Sequence, residues 1–80
     1  MTLDEAKGLH YRQTLYDKIY RNHDGTPARW RVNGKVKTWK HDLNRIEIPI
    51  KRGLYETHYL TEKTIKDVSL TEEEAKHESK

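Results

Sequence analysis

The sequence predicts a mainly β protein: a small antiparallel β-barrel, Src-homology-3-like or oligonucleotide-binding-like, with short helical turns at the ends. Turn-forming residues recur at short intervals, at Asp24-Gly25-Thr26-Pro27, Asn33-Gly34 and Arg52-Gly53. The stretches between them alternate apolar and polar residues and are rich in Val, Ile, Trp, Tyr and Thr. The chain has 80 residues, of which 32% are hydrophobic, so it can build one small core.

The alternation between the turns defines six strands. The first is ambiguous, because the apolar residues between Tyr11 and Tyr20 also recur at the spacing of one helical face, and a helix over 9–21 remains an alternative. The predicted strands cover residues 14–21, 28–33, 35–40, 45–51, 54–60 and 65–70.

Residues 1–8 precede the predicted β domain, which covers residues 9–70. Thr2 and Glu5 have the spacing of a capping box, and Gly8 suits the C-terminal cap of a helix. We therefore predict a helical turn in this segment.

Residues 71–80 form the third predicted region. Thr71 and Glu74 repeat the capping-box spacing, but Ala75 is the one apolar residue of the segment, so its composition provides no anchor to the core. The stretch from Asp67 to the C-terminus has a net charge of −3. We expect an acidic flexible tail, or a frayed helical turn, that occupies a basic surface transiently.

The charge of the chain is unevenly distributed. The formal net charge is +3, but residues 9–66 carry thirteen Lys and Arg against six Asp and Glu. A basic middle with acidic ends predicts an anionic partner, either nucleic acid or an acidic protein surface. No apolar run approaches the length of a membrane span and the N-terminus lacks a secretory signal, so we expect a cytoplasmic protein without a membrane partner.

The turn within residues 28–40 decides which side chains share a face. A two-residue loop at Asn33-Gly34 would pair Trp30 with Lys37 and place lysines among apolar side chains. A three-residue loop would instead pair Trp30 with Val36, and it is favoured because burial of an unpaired ammonium is costly. In that register one face carries Arg29, Arg31, Lys35, Lys37 and Trp39.

A second hairpin is predicted at Arg52-Gly53. A two-residue loop there sets Ile50 opposite Tyr55 and Ile48 opposite Thr57, with the isoleucines facing the core. The predicted core comprises Trp30, Val36, Ile46, Ile48, Ile50, Tyr55 and Leu60.

Residues that carry catalytic or metal chemistry are scarce. The chain has no Cys, its five His do not fall at a compact ligand spacing, and its four Gly do not form a phosphate-binding loop. Ser69 and Ser79, the two serines, lie near the C-terminus, so nucleophilic catalysis has little to use. We predict no enzymatic activity, no cofactor and no metal.

The run DGTPARWRVNGKVKTWK over residues 24–40, followed by IPIKRGLYETHYLT over residues 48–61, resembles small proteins without assigned activity that phages and other mobile elements carry. The resemblance covers about 40% of the chain by our count of its residues. It implies an intracellular accessory protein and assigns no functional residue.

These observations predict nucleic-acid binding through a basic hairpin face, largely by phosphate contacts and with weak sequence selectivity. The alternative is an interaction module that docks the same patch on an acidic protein surface. Trp39 either stacks on a base or plugs an open end of the barrel beneath packed cations. The predicted nucleic-acid-binding residues are Arg29, Arg31, Lys35, Lys37, Trp39 and Lys40.

Overall fold

The computed structural model, which describes residues 1–77, has six antiparallel strands in one sheet and two short helices, and it confirms the mainly β prediction. The sheet does not close on itself, so the predicted barrel is not confirmed. The elements in chain order are α1 (Leu3–Lys7), β1 (Thr14–Arg21), β2 (Pro27–Val32), β3 (Lys37–Trp39), β4 (Asp42–Arg52), β5 (Glu56–Thr61), a 3₁₀ turn (Ile65–Asp67), β6 (Val68–Ser69) and α2 (Glu72–His77).

The ambiguous segment before the first turn is a strand, β1, and the alternative helix over 9–21 is wrong. β1 pairs with β2 on one side and with β6 on the other. Its first half buries Leu15 and Asp17 in alternation, whereas Ile19 and Tyr20 near its end are exposed. Buried and more exposed side chains therefore alternate only in the part of β1 that has a strand on both sides.

Strands β2 and β3 do not pair with each other, so both registers considered for a hairpin in residues 28–40 are wrong. Both strands pair with β4 instead: Arg31 lies opposite Lys51, and Lys37 lies opposite Glu47. Because β5 occupies the other edge of β4 over the same stretch, β2 and β3 follow one edge in succession. Together they form one long strand, which is interrupted between Val32 and Lys37.

The interruption falls where β4 contains Pro49. Proline has no N–H to donate to a neighbouring strand. The N–H of Asn33 donates to the carbonyl of Pro49 at 2.7 Å, and the chain then passes over the proline ring. A Cβ on Gly34 would lie 2.8 Å from Cγ of Pro49. The Asn33-Gly34 pair is thus a close crossing over Pro49, and glycine is required there by space.

The hairpin between β4 and β5 has a longer loop than predicted. Arg52 pairs with Glu56, so Gly53 to Tyr55 form the loop, and Gly53 has a φ of 67°. The register therefore sets Ile48 opposite Leu60.

This register changes the core. Leu60 is buried, whereas Tyr55, which was predicted to be buried, is 92% exposed at the loop. Val36 is partly buried against the core. The prediction is confirmed for Trp30, Ile46, Ile48, Ile50 and Leu60.

Helix α1 packs against β4. The predicted capping box is present, with Thr2 and Glu5 each accepting from the other's backbone N–H. Ala6 is fully buried, and the N-terminal ammonium of Met1 donates to the carbonyl of Val68 at 3.1 Å. The N-terminal segment is therefore fixed to the last strand.

Helix α2 corrects the expectation of a tail without an anchor. Ala75 is fully buried against the sheet, and Nη2 of Arg21 donates to its carbonyl at 2.8 Å. The buried alanine and the hydrogen bond from a charged donor help to hold this short helix against β1. The last part of the predicted tail, residues 78–80, lies outside the described residues.

Candidate functional site

A basic pocket of about 260 Å³ lies at the end of β2. It contains three cations and no carboxylate, and none of these cations forms an ion pair within residues 1–77. We call it the basic pocket, and its lining residues are Tyr11, Arg12, Arg31, Val32, Asn33 and Lys51.

Two of the cations are direct cross-strand neighbours. Arg31 on β2 lies opposite Lys51 on β4, and both side chains are exposed because their neighbours Trp30, Val32 and Ile50 point to the core. Side chains in this relation have Cβ atoms about 4.5–5.5 Å apart, and like charges so placed are destabilising. The sheet therefore concentrates positive charge where a neutral pair would be more stable.

The third cation, Arg12, lies in the segment before β1. Arg12 has a φ of 68°, a left-handed conformation that is uncommon for a residue other than glycine. Its N–H donates to the carbonyl of Val32 at 2.8 Å, and the N–H of Val32 donates to Gln13 at 2.9 Å. The guanidinium lies 5.4 Å from the ring centroid of Tyr11. Two backbone hydrogen bonds thus fix Arg12 beside the end of β2.

The six predicted site residues follow one another along β2, β3 and the segments after these strands. Arg31 lies in the basic pocket, and Arg29 is exposed on the same face of β2. Lys35 is exposed in the interruption between β2 and β3, and Lys40 is exposed in the turn that follows β3. The predicted hairpin is wrong, because β2 and β3 are not neighbours. Arg31 and Lys37 still lie on one face of the sheet, since their partners Lys51 and Glu47 are four residues apart on β4.

Trp39 and Lys37 belong to a separate cluster. The indole of Trp39 is half-buried, with Cζ of Arg45 at 4.1 Å and Nζ of Lys37 at 5.1 Å from a ring centroid. Cations therefore pack over the indole of Trp39, while stacking on a base and plugging of a barrel end stay predictions. Lys37 also lies opposite Glu47, so its charge has an acidic neighbour.

Sequence reasoning missed Tyr11, Arg12 and Lys51. They lie in three separate parts of the chain and meet only through the pairing of β2 with β4 and the backbone contact of Arg12 with Val32. No spacing in the sequence carries this information. The signal that could have found Lys51 is the pairing of β2 with β4.

A larger groove of about 460 Å³ lies on the other face of the same strands. Its floor is the buried indole of Trp30, whose Nε1 donates to Oδ2 of Asp17 at 3.0 Å. Oδ1 of the same carboxylate accepts from the N–H groups of Ile19 and Tyr20, at 2.8 and 3.1 Å. We call this the aromatic groove, and Asp17 fixes both its floor and one wall.

Charged groups from the β4–β5 hairpin form the opposite wall of the aromatic groove. The guanidinium of Arg52 lies 5.1 Å from the ring centroid of Trp30 and donates twice to Oε1 of Glu56, at 3.1 and 2.8 Å. His58 meets the indole edge-on at 5.2 Å, and its Nε2 lies 3.4 Å from Oε2 of Glu56. The indole face is therefore in contact with a cation already.

Three carboxylates outside both sites have a lowered pKa. For Glu62, the chief cause is the hydrogen bond from the N–H of Ile46, at 3.1 Å. For Glu5 the chief cause is a backbone hydrogen bond from Thr2, and for Asp24 it is the hydroxyl of Thr26. Glu5 thus stabilises the cap of α1, Asp24 a turn, and Glu62 the edge of β4.

The part of the chain that the structure describes contains no cluster of three or more His, Asp and Glu that could hold a metal ion. It also contains no helix of the length and apolarity needed to cross a membrane. Comparisons of the chain with protein-family models, curated proteins and solved structures found no match.

Proposed function

We propose that the protein binds nucleic acid through the basic pocket, mainly by contacts to phosphates. The observation that carries this proposal is the direct cross-strand pair of Arg31 and Lys51, joined by Arg12, with no carboxylate in the pocket. A like-charge pair opposes folding by roughly 0.2–1 kcal/mol, and a phosphate between the two cations turns this repulsion into attraction.

The exposed aromatic ring beside the cations supports the same ligand. Tyr11 is 63% exposed, and Arg12 lies over its ring. Bases stack on such rings without regard to sequence. The basic pocket presents no helix that could enter a major groove, so contacts to the backbone dominate and selectivity is weak.

The accompanying fold proposal is a Src-homology-3-like or oligonucleotide-binding-like barrel that is left open between β5 and β1. The resemblance of residues 24–40 to proteins of phages and mobile elements supports an intracellular accessory role as part of the same proposal.

The test is a titration of fluorescein-labelled single-stranded and duplex oligonucleotides at several salt concentrations. Counterion release predicts that the logarithm of the affinity falls linearly with the logarithm of the salt concentration. A variant with Arg12→Gln, Arg31→Gln and Lys51→Gln should bind at least about tenfold more weakly and show a shallower salt dependence.

The matched control removes the same number of positive charges elsewhere. Lys40, Lys63 and Lys66 are exposed and lie outside the basic pocket, so their triple substitution by Gln should weaken binding much less. Equal losses in the two variants would contradict a localised site. No binding by the wild type at low salt would contradict the proposal itself and would favour an acidic protein surface as the partner.

A further inference from the structure

The aromatic groove lies at the place where the sheet is open. Tyr59 and Leu60 of β5 line one side of it, and Ile19 and Tyr20 of β1 line the other. Within residues 1–77, β5 pairs with β4 alone, so its second edge has no strand beside it. An unpaired edge offers backbone N–H and carbonyl groups to an added strand.

The hydrogen bonds around β5 show which of its residues present these groups. The N–H of Thr61 donates to Oγ1 of Thr64 at 2.9 Å, away from β4. Backbone groups alternate in direction along an antiparallel strand, so those of Thr57 and Tyr59 also point to the open edge. The partner of Tyr59 on β4 is Pro49, which has no N–H to offer it. The backbone N–H and carbonyl groups of Thr57 and Tyr59 therefore point to the open edge and are available to an added strand.

One wall of the groove is apolar and accessible. Ile19 is 62% exposed and Tyr20 is 64% exposed beside the buried ring of Trp30, whereas Tyr59 contributes its backbone, because its side chain alternates with that of buried Leu60. Large apolar side chains gathered around a concavity are typical of a binding surface, whereas isolated ones are ordinary on any protein.

The charge of the groove indicates the chemistry of its occupant. Asp17, Glu56 and Asp67 line it together with one cation, Arg52, so it is acidic in a chain whose net charge is +3. Within residues 1–77, the Asp67 carboxylate forms no hydrogen bond or ion pair, whereas those of Asp17 and Glu56 do.

We infer that the aromatic groove binds an extended peptide segment of a partner protein. The peptide adds to the edge of β5 through the backbone groups of Thr57 and Tyr59. It places a lysine or arginine side chain beside Tyr20, toward Asp67. Addition of a strand to an exposed edge is an established mode of peptide recognition, in which backbone hydrogen bonds give affinity and side-chain pockets give specificity.

This inference is independent of nucleic-acid binding. The carboxylates of the groove repel phosphate, and the groove and the basic pocket use opposite faces of β2 and β4. One partner protein and one nucleic acid could therefore be bound together.

The test uses the capped peptide acetyl-Ser-Thr-Val-Thr-Lys-Thr-Val-Thr-Ser-amide, with Arg, Gln or Glu in place of Lys in three further peptides. The protein is the full chain with Trp39→Phe, so that Trp30 is the single fluorescent indole. We expect the Lys and Arg peptides to change this fluorescence on binding. The Gln peptide should bind about tenfold more weakly and the Glu peptide still more weakly.

Two changes separate the parts of the inference. Asp67→Asn should reduce the preference for the Lys peptide over the Gln peptide about tenfold. A Lys peptide that is methylated on the alternate backbone nitrogens facing β5 should not bind. Arg31→Gln, on the opposite face, serves as the control and should leave peptide binding unchanged. Circular dichroism of each variant verifies that it is folded.

The inference is overturned if none of the four peptides binds, or if Asp67→Asn leaves the preference for Lys unchanged. A dimer in sedimentation that the Lys peptide does not dissociate would also contradict it, because a second copy of the chain would then occupy the β5 edge. If the wild-type chain binds the Lys peptide but binds no oligonucleotide, the proposed function alone is contradicted.

Discussion

The two faces of β2 and β4 differ in charge although they are built from alternate residues of the same strands. One face carries Arg31 and Lys51 in the basic pocket, and the other carries Trp30 and Ile50 beneath the acidic aromatic groove. A strand directs successive side chains to opposite faces, so neighbours in sequence contribute to opposite sites. The comparison teaches that register, more than composition, gives each face its chemistry.

The two sites also differ in how their charges are compensated. In the groove, the carboxylate of Asp17 accepts three hydrogen bonds and Glu56 is paired with Arg52. In the basic pocket, the facing cations have no acidic partner within residues 1–77. A satisfied network stabilises the fold, whereas uncompensated like charges reduce its stability and suit a ligand. Substitutions at the two sites should therefore have opposite effects on stability.

The largest expected change in stability comes from Asp17→Asn. Three donors converge on this buried carboxylate, and an amide offers one acceptor oxygen and one donor nitrogen, so at least one donor would meet another donor. We expect a loss of about 1–3 kcal/mol in the free energy of unfolding, measured with urea. Asp24→Asn, at an exposed turn, is the control and should lose less than about 0.5 kcal/mol. Equal losses would show that the groove network does not stabilise the fold.

A smaller change of opposite sign is expected from Lys51→Glu. The new carboxylate would lie opposite Arg31, so we expect the free energy of unfolding to rise by about 0.2–1 kcal/mol while oligonucleotide binding weakens. Lys51→Gln removes the repulsion without adding attraction and should fall between the wild type and the glutamate variant. A glutamate variant that is less stable, or that binds as tightly as the wild type, would contradict the role given to this pair.

The smallest effect concerns pH. Glu5, Asp24 and Glu62 have a pKa lowered by hydrogen bonds in the folded chain, from ordinary values of 4.5, 3.8 and 4.5. Their stabilisation is present above the ordinary values and is lost as the pH falls through the lower folded values. Stability should therefore be level down to about pH 5 and should decline below it. Glu62→Gln should flatten this decline, and a decline unchanged in that variant would remove Glu62 from the explanation.

Much of the fold could be predicted because its signals are local. The alternating residues of β4 and the capping box of α1 each act within a few positions, and both are present in the structure. The prediction of a hairpin at Asn33-Gly34 is wrong, because the dipeptide that favours a tight turn also permits a close crossing over Pro49. A long-range contact decided between two outcomes that the local sequence allows.

The candidate site was predicted only in part for the same reason. Arg31 could be identified from the density of cations around it, but Arg12 and Lys51 reach it through strand pairing and a backbone contact. The anchoring of α2 was missed because one buried alanine, Ala75, and one hydrogen bond from Arg21 are invisible in composition. A site that is assembled from distant segments can be predicted only when the register of the paired strands is known, and no residue spacing in this chain reveals that register.

The central claim is that the two faces bind different partners, and mapping of backbone amides by NMR tests it most directly. Addition of a short single-stranded oligonucleotide to the ¹⁵N-labelled full chain should shift the amides of Arg12, Arg31 and Lys51. The amides of Tyr20 and Tyr59, at the aromatic groove, should remain in place. Shifts concentrated at the aromatic groove, or spread evenly over both faces, would contradict the assignment of nucleic acid to the basic pocket.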